Sequence, residues 1–101
     1  MAELADTSWV AEQRAGCAIA FGADGMVHGS SGINRFAGAY DEADGRLLMG
    51  PLAGTRMAGP DDEMAAETVF LALLEGSPRF TVADGMLVLG EGDAGIRFRP
   101  A

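Results

Sequence analysis

The chain has 101 residues, 49 % of them hydrophobic, and a formal net charge of −8. That hydrophobic fraction excludes disorder by low hydropathy and predicts one packed domain over residues 1–101. All seven basic residues are arginine, and so acidic a balance argues against nucleic acid or an anionic membrane as partner, since both are read by basic patches.

No apolar run is long enough for a membrane-spanning helix, so no membrane insertion is expected. The first residues have neither a basic n-region nor an apolar h-region, so they do not read as a signal peptide. A cytoplasmic protein is the expectation, with a periplasmic or exported form after removal of a leader as the alternative. The single cysteine, Cys17, excludes an internal disulfide and reads as a small apolar strand residue.

Three Ala-Asp-Gly triplets, at residues 23–25, 43–45 and 83–85, separate short apolar runs. Asp-Gly between strand-like segments predicts hairpins, because a type I′ turn needs φ > 0 at both central positions. In chain order, Trp9-Val10 is a short strand with an aromatic to bury, and residues 13–16 are a loop. Cys17 to Phe21 pairs through the first triplet with Met26-Val27-His28, and residues 29–32 are a bulge or turn. Residues 33–40 form a strand with Asn34, Phe36, Gly38 and Tyr40 on one face. It turns back through the second triplet to Arg46–Met49. Residues 52–58 are extended and lead to a helix. Beyond the helix, Phe80-Thr81-Val82 and Met86–Leu89 make the third hairpin, and Ile96–Arg99 is the last strand.

The helix is expected at residues 61–75. Gly59-Pro60 precedes it, Asp61 or Asp62 can cap its free N–H groups, and Gly76-Ser77-Pro78 ends it. Its apolar residues lie on nearly every side: Met64, Phe70, Leu71 and Leu74 on one stripe, with Ala65, Val69, Ala72 and Leu73 beyond. That predicts burial on most sides. The fold class is therefore α+β, mostly β: an antiparallel meander forming a partly open barrel wrapped around a single helix. Glu67 falls inside the main stripe. It reads either as a perturbed acid in a site or as an anchor tied to Arg35, Arg56 or Asn34 on the sheet, and the anchor is preferred.

Other chemistry is thin. One histidine and one cysteine cannot build the usual zinc site, and His28 reads as a surface residue. Gly29-Ser30-Ser31-Gly32 is neither a nucleophile elbow nor a phosphate cradle, because a strand follows it and the chain has no lysine. Asp61, Asp62 and Glu63 lack calcium-loop spacing. No metal, cofactor or catalytic residue is expected.

Several stretches together resemble the META domain family, which takes in HslJ-like heat-shock proteins. The likeness is carried by Trp9, residues 27–40 with Gly32-Ile33-Asn34-Arg35-Phe36-Ala37-Gly38-Ala39-Tyr40 at their centre, and Leu52 to Pro60 with Thr55-Arg56-Met57-Ala58. Met64, Glu67, Phe70 and Leu74 on the helix, then Leu87–Leu89 and Phe98, continue it. The resemblance implies an antiparallel, partly open barrel around one helix and a loose link to stress response and the cell envelope, with no defined reaction. It also implies that Asn34, Arg35, Thr55, Arg56 and Glu67 form a binding or structural polar cluster. Family members often carry a cysteine where this chain has Ile33 and another where it has Gly59, which looks like a disulfide tying sheet to helix. With both absent, packing alone is expected to hold residues 55–62, which should exchange amide protons faster than the helix. The leading expectation is a non-enzymatic binding or accessory module with a protein partner. The alternatives are a carrier of a small apolar ligand between helix and sheet, and an enzyme using Glu67 as general acid or base.

Overall fold

Alternation of apolar and polar residues at period two is what makes these short segments strands. In β2 (Cys17–Phe21), Cys17, Ile19 and Phe21 are buried and the alanines between them half-buried. In β9 (Ile96–Pro100), Ile96 and Phe98 point inward while Arg97 and Arg99 stay in solvent. The computed structural model describes residues 4–14, 16–55, 57–92 and 95–101. The remaining strands are β1 (Thr7–Ala11), β3 (Met26–Ser31), β4 (Arg35–Ala43), β5 (Arg46–Met49), β6 (Ala53–Gly54), β7 (Phe80–Ala83) and β8 (Met86–Leu89), with one helix, α1 (Asp61–Glu75).

Every strand pairing is antiparallel, in the order β5-β4-β3-β2-β1-β9-β8-β7, with β6 alongside β4. Among the described residues, the two ends of this order meet only at one point. Leu47 N donates to Pro78 O at 2.8 Å and Phe80 N to Gly45 O at 2.9 Å, beside an isolated bridge between Arg46 and Arg79. The result is a nearly closed eight-stranded antiparallel barrel, its seam fastened at one end and open along β6. This is the mostly-β barrel with a single helix that the sequence predicts.

Two of the three hairpins follow the expected chemistry. Asp44 and Gly45 have φ of 52° and 75°, and Asp84 and Gly85 have 54° and 75°, as two-residue I′ turns require. The first differs: only Gly25 has positive φ (82°). Its loop is longer, with Gly22 N donating to Met26 O at 2.8 Å and Met26 N to Asp24 Oδ1 at 3.1 Å. Here Asp24 works through its side chain, as an Asx turn. Residues 29–31 extend β3, and the turn expected there sits instead at residues 31–34, where Gly32 takes φ of 103° and Ser31 N donates to Asn34 O at 2.8 Å. Of the extended segment expected at 52–58, only Ala53–Gly54 pairs as a strand.

The helix has the predicted bounds, but its burial is one-sided. Phe70 and Leu74 are buried, whereas Val69 is 56 % and Met64 40 % exposed, and Ala65 and Ala72 also face solvent. Strand side chains such as Ile19, Phe21, Val27, Leu47, Leu87 and Phe98 already fill the barrel interior, as small barrels generally do. Only one helix face therefore enters the core. Phe70 is its anchor, with its ring 5.8 Å from that of Phe36 on β4 and 6.2 Å from that of Phe98 on β9. Burying Phe70 and Leu74 contributes about 2–3 kcal/mol each. The capping expectation also needs correction. The N-cap is Pro60, without a side-chain cap bond. Asp62 Oδ1 instead accepts from Glu63 N at 3.0 Å, inside the first turn.

Ile33 and Gly59 lie side by side. A Cβ built on Gly59 would sit 3.2–3.5 Å from the Cδ1, Cγ1 and Cγ2 atoms of Ile33. An apolar side chain thus fills the place where the resemblance implies a covalent tie. The spacing suits a disulfide, so the I33C/G59C variant should oxidise to an internal bond. Closing a loop of about 25 residues should make the oxidised form about 3 kcal/mol more stable than its own reduced form. Thiol counting and urea unfolding with and without reductant check this. An unbridged pair under oxidant would contradict the placement.

Cys17 is buried, and that burial raises its thiol pKa from 9.0 to about 11, with Arg14 opposing the shift weakly. Between those values the unfolded chain loses the proton and the folded chain keeps it, so stability should fall as pH rises from about 9 to about 11. Thermal melts across that range should show a steeper decline for the natural chain than for Cys17→Ala.

Candidate functional site

Of the five residues that the resemblance implies as a polar cluster, Asn34, Thr55 and Glu67 come together where β4, the segment leading to the helix, and α1 meet. Asn34 is their hub. It immediately precedes β4 and alternates inward with Phe36, so its carboxamide is buried at 7 % exposure. The amide carbonyl accepts from Thr55 Oγ1 at 2.8 Å and from Met57 N at 2.6 Å. The amide nitrogen donates to Met57 O at 3.1 Å and to Glu67 Oε1 and Oε2 at 3.1 and 2.9 Å. The surroundings dictate the amide's orientation, because its carbonyl faces donors and its NH2 faces acceptors.

Glu67 lies half-buried on α1. Its Oε2 also accepts from Ser31 Oγ at 2.6 Å. A hydroxyl has one proton, and this short charge-assisted contact takes it. Ser31 Oγ in turn accepts from Asn34 N at 3.2 Å. Glu67 is therefore the predicted anchor, held by an amide and a hydroxyl. Of its three candidate partners only Asn34 is seen to bind it. Arg35 alternates outward and is exposed; its backbone N donates to Thr55 Oγ1 and its carbonyl accepts from Thr55 N, both at 3.0 Å. Arg56 lies outside the described residues. Ser31 was not assigned to the cluster, although a serine followed by Gly32 at a strand end favours side-chain-to-backbone bonding.

These bonds overturn the expectation that packing alone holds the segment before the helix. Asn34 grips Met57 through both its N–H and its C=O, and Thr55 joins the β4 ladder. His28, as expected, is exposed, out on β3.

The cluster floors a cleft of about 420 Å³ that opens to solvent between β6 and α1. Phe36, Leu52 and Leu71 give it an apolar base. Met57 (62 % exposed) and Met64 flank it, and Arg35, Glu67 and Glu75 supply its charges. Chemically, a carboxylate against a serine hydroxyl lacks the imidazole that would carry the proton in a nucleophilic triad. The site combines an apolar trough, two carboxylates and a strand edge.

The META domain family profile matches residues 2–100. The chain belongs to the META domain family. A protein from Burkholderia xenovorans solved by NMR superposes with a TM-score of 0.74 at 26 % identity, over 97 % of this chain and 83 % of its own. A second NMR structure gives a TM-score of 0.79 at 20 % identity, over 96 % of this chain and 91 % of its own, and shares the fold. No curated protein matches the chain. In this META domain the positions of the implied disulfide, Ile33 and Gly59, fall beside the Asn34 cluster, so packing and polar bonds fasten the same joint.

Removing the hub should be costly. Asn34→Ala leaves the Glu67 carboxylate and both Met57 backbone groups without their partner, and should destabilise by about 2–4 kcal/mol. Asn34→Asp sets a second carboxylate against Glu67 and should cost at least as much near neutral pH. A double-mutant cycle with Glu67→Gln, read by urea unfolding, should give a coupling of about 1 kcal/mol or more. A coupling near zero would show that the two residues act independently.

Proposed function

We propose that this META domain is a non-enzymatic binding or accessory module whose recognition face is the cleft between β6 and α1, and that it takes a protein partner. The supporting observation is the exposed apolar rim there. Met57 and Met64 stand in solvent on either side of a trough floored by Phe36, Leu52 and Leu71. Methionine is suited to such a surface because its side chain adapts to varied shapes. Beside the trough, among the described residues, β6 is paired on one side only, with β4. Exposed apolar area next to an unpaired edge is how protein-recognition surfaces present themselves. A role in stress response or at the envelope is the setting that family membership suggests for such a module.

A photo-reactive amino acid at Met64 should cross-link a discrete protein in cells of the source organism. The same group at Thr81, exposed on β7, should not. Equal cross-linking from both positions, or native mass spectrometry showing a small molecule and no protein bound, would overturn the reading.

A further inference from the structure

We infer that the partner of the cleft is an extended peptide segment bearing an arginine or lysine, which adds as a strand to the free edge of β6 and sets its cation against Glu67. The inference rests on the protein-binding reading above and narrows it. Ala53 and Gly54 are both exposed, and among the described residues no strand pairs with β6 on the side away from β4. Across the cleft stand Met64, Glu67, Leu71 and Glu75 of α1. An open strand edge facing a side-chain wall is the geometry of strand addition, in which backbone bonds supply affinity and the wall supplies specificity.

The wall's chemistry selects the side chain. Every hydrogen bond described for Glu67 comes from a neutral donor, Ser31 or Asn34. Oε2 receives two of them, while Oε1 receives only one side of the Asn34 amide at 3.1 Å. An ionised carboxylate has about four acceptor sites, so Oε1 retains capacity for an incoming donor. Glu75 adds a second carboxylate, against Arg35 as the one cation among the described lining residues. Within a chain of net charge −8, an acidic segment would be repelled and a basic one drawn in. The half-buried position of Glu67 strengthens that attraction beyond what a free surface gives. Met57 and Met64 then cover the aliphatic stem of the arginine or lysine.

The probe is a phage-displayed library of random nine-residue peptides, selected on the whole chain and counter-screened on two variants. Met64→Arg places a competing cation and fills the cleft. Val69→Arg puts the same charge on the outer face of α1. Peptides that bind the natural chain and Val69→Arg but not Met64→Arg should be enriched in an arginine or lysine between apolar residues. Replacing that arginine with citrulline should weaken binding at least tenfold, a result independent of how any variant folds. Binding should weaken further with added salt, and hydrogen exchange at the Gly54 amide, which the register turns away from β4, should slow in the complex. Cleft-dependent peptides without a basic residue, or unchanged exchange at the Gly54 amide, would overturn this inference and leave the protein-binding reading standing. Selection that returns no Met64→Arg-sensitive peptide would overturn both.

Discussion

A buried carboxamide has to be satisfied, and much of the joint between sheet and helix follows from how Asn34 is. Its two polar ends meet Thr55 and Met57 on the segment before the helix and Glu67 on the helix itself. Leaving the buried carboxamide itself unpaired would cost about 1–3 kcal/mol. The β3–β4 turn, the segment before the helix and the helix itself are therefore held in one mutual arrangement. The choice of a neutral amide matters. An arginine in the same place would give a buried ion pair, whose desolvation often cancels its attraction. Two neutral donors stabilise the carboxylate at a smaller desolvation cost and leave its negative charge on the face of the cleft.

The barrel's incompleteness is the second constraint. Strands β5 and β7 touch only near Arg46 and Arg79, because β5 ends at Met49 and the chain crosses to β6 through Gly50-Pro51-Leu52. Gly38 on β4 permits that crossing. A Cβ there would lie 2.9 Å from both Pro51 O and a Leu52 methyl. Beyond the touch point the sheet has an edge, and α1 leans over it with one face only. The cleft is the space between that edge and the helix, so it is a consequence of topology that the polar cluster then shapes.

Local chemistry was legible in the sequence wherever it acts within a few residues. Asp44-Gly45 and Asp84-Gly85 dictated their turns, Gly59-Pro60 and Gly76-Ser77-Pro78 bounded the helix, and alternation placed Asn34 and Phe36 inward. What needed three dimensions was harder to read. An all-round apolar helix shows capacity for burial, while the number of buried faces depends on how full the barrel already is. Val69 and Ala65 therefore looked like core and are surface. Within the cluster, the helical stripe singled out Glu67 and offered Asn34 among its partners, whereas Thr55 came, with Arg35 and Arg56, from the family resemblance. Ser31 was missed because its role depends on where the turn falls, and the run of small residues from Gly29 to Gly32 is compatible with several registers.

The polar hub and the cleft share one carboxylate, and this links structure to recognition. Glu67 holds the helix to Asn34 through both oxygens and faces the cleft with the same atoms. Any donor that reaches Oε1 draws on charge density that also serves the Asn34 amide. The Asn34 joint and any ligand in the cleft would then meet at a single group, and by linkage each would bias the other. A disulfide between positions 33 and 59 would stiffen that joint and shrink the coupling. Ile33 packed on Gly59 holds the joint by contact instead. In this chain, contact between Ile33 and Gly59 and the hydrogen bonds of Asn34 therefore fasten one joint beside the cleft.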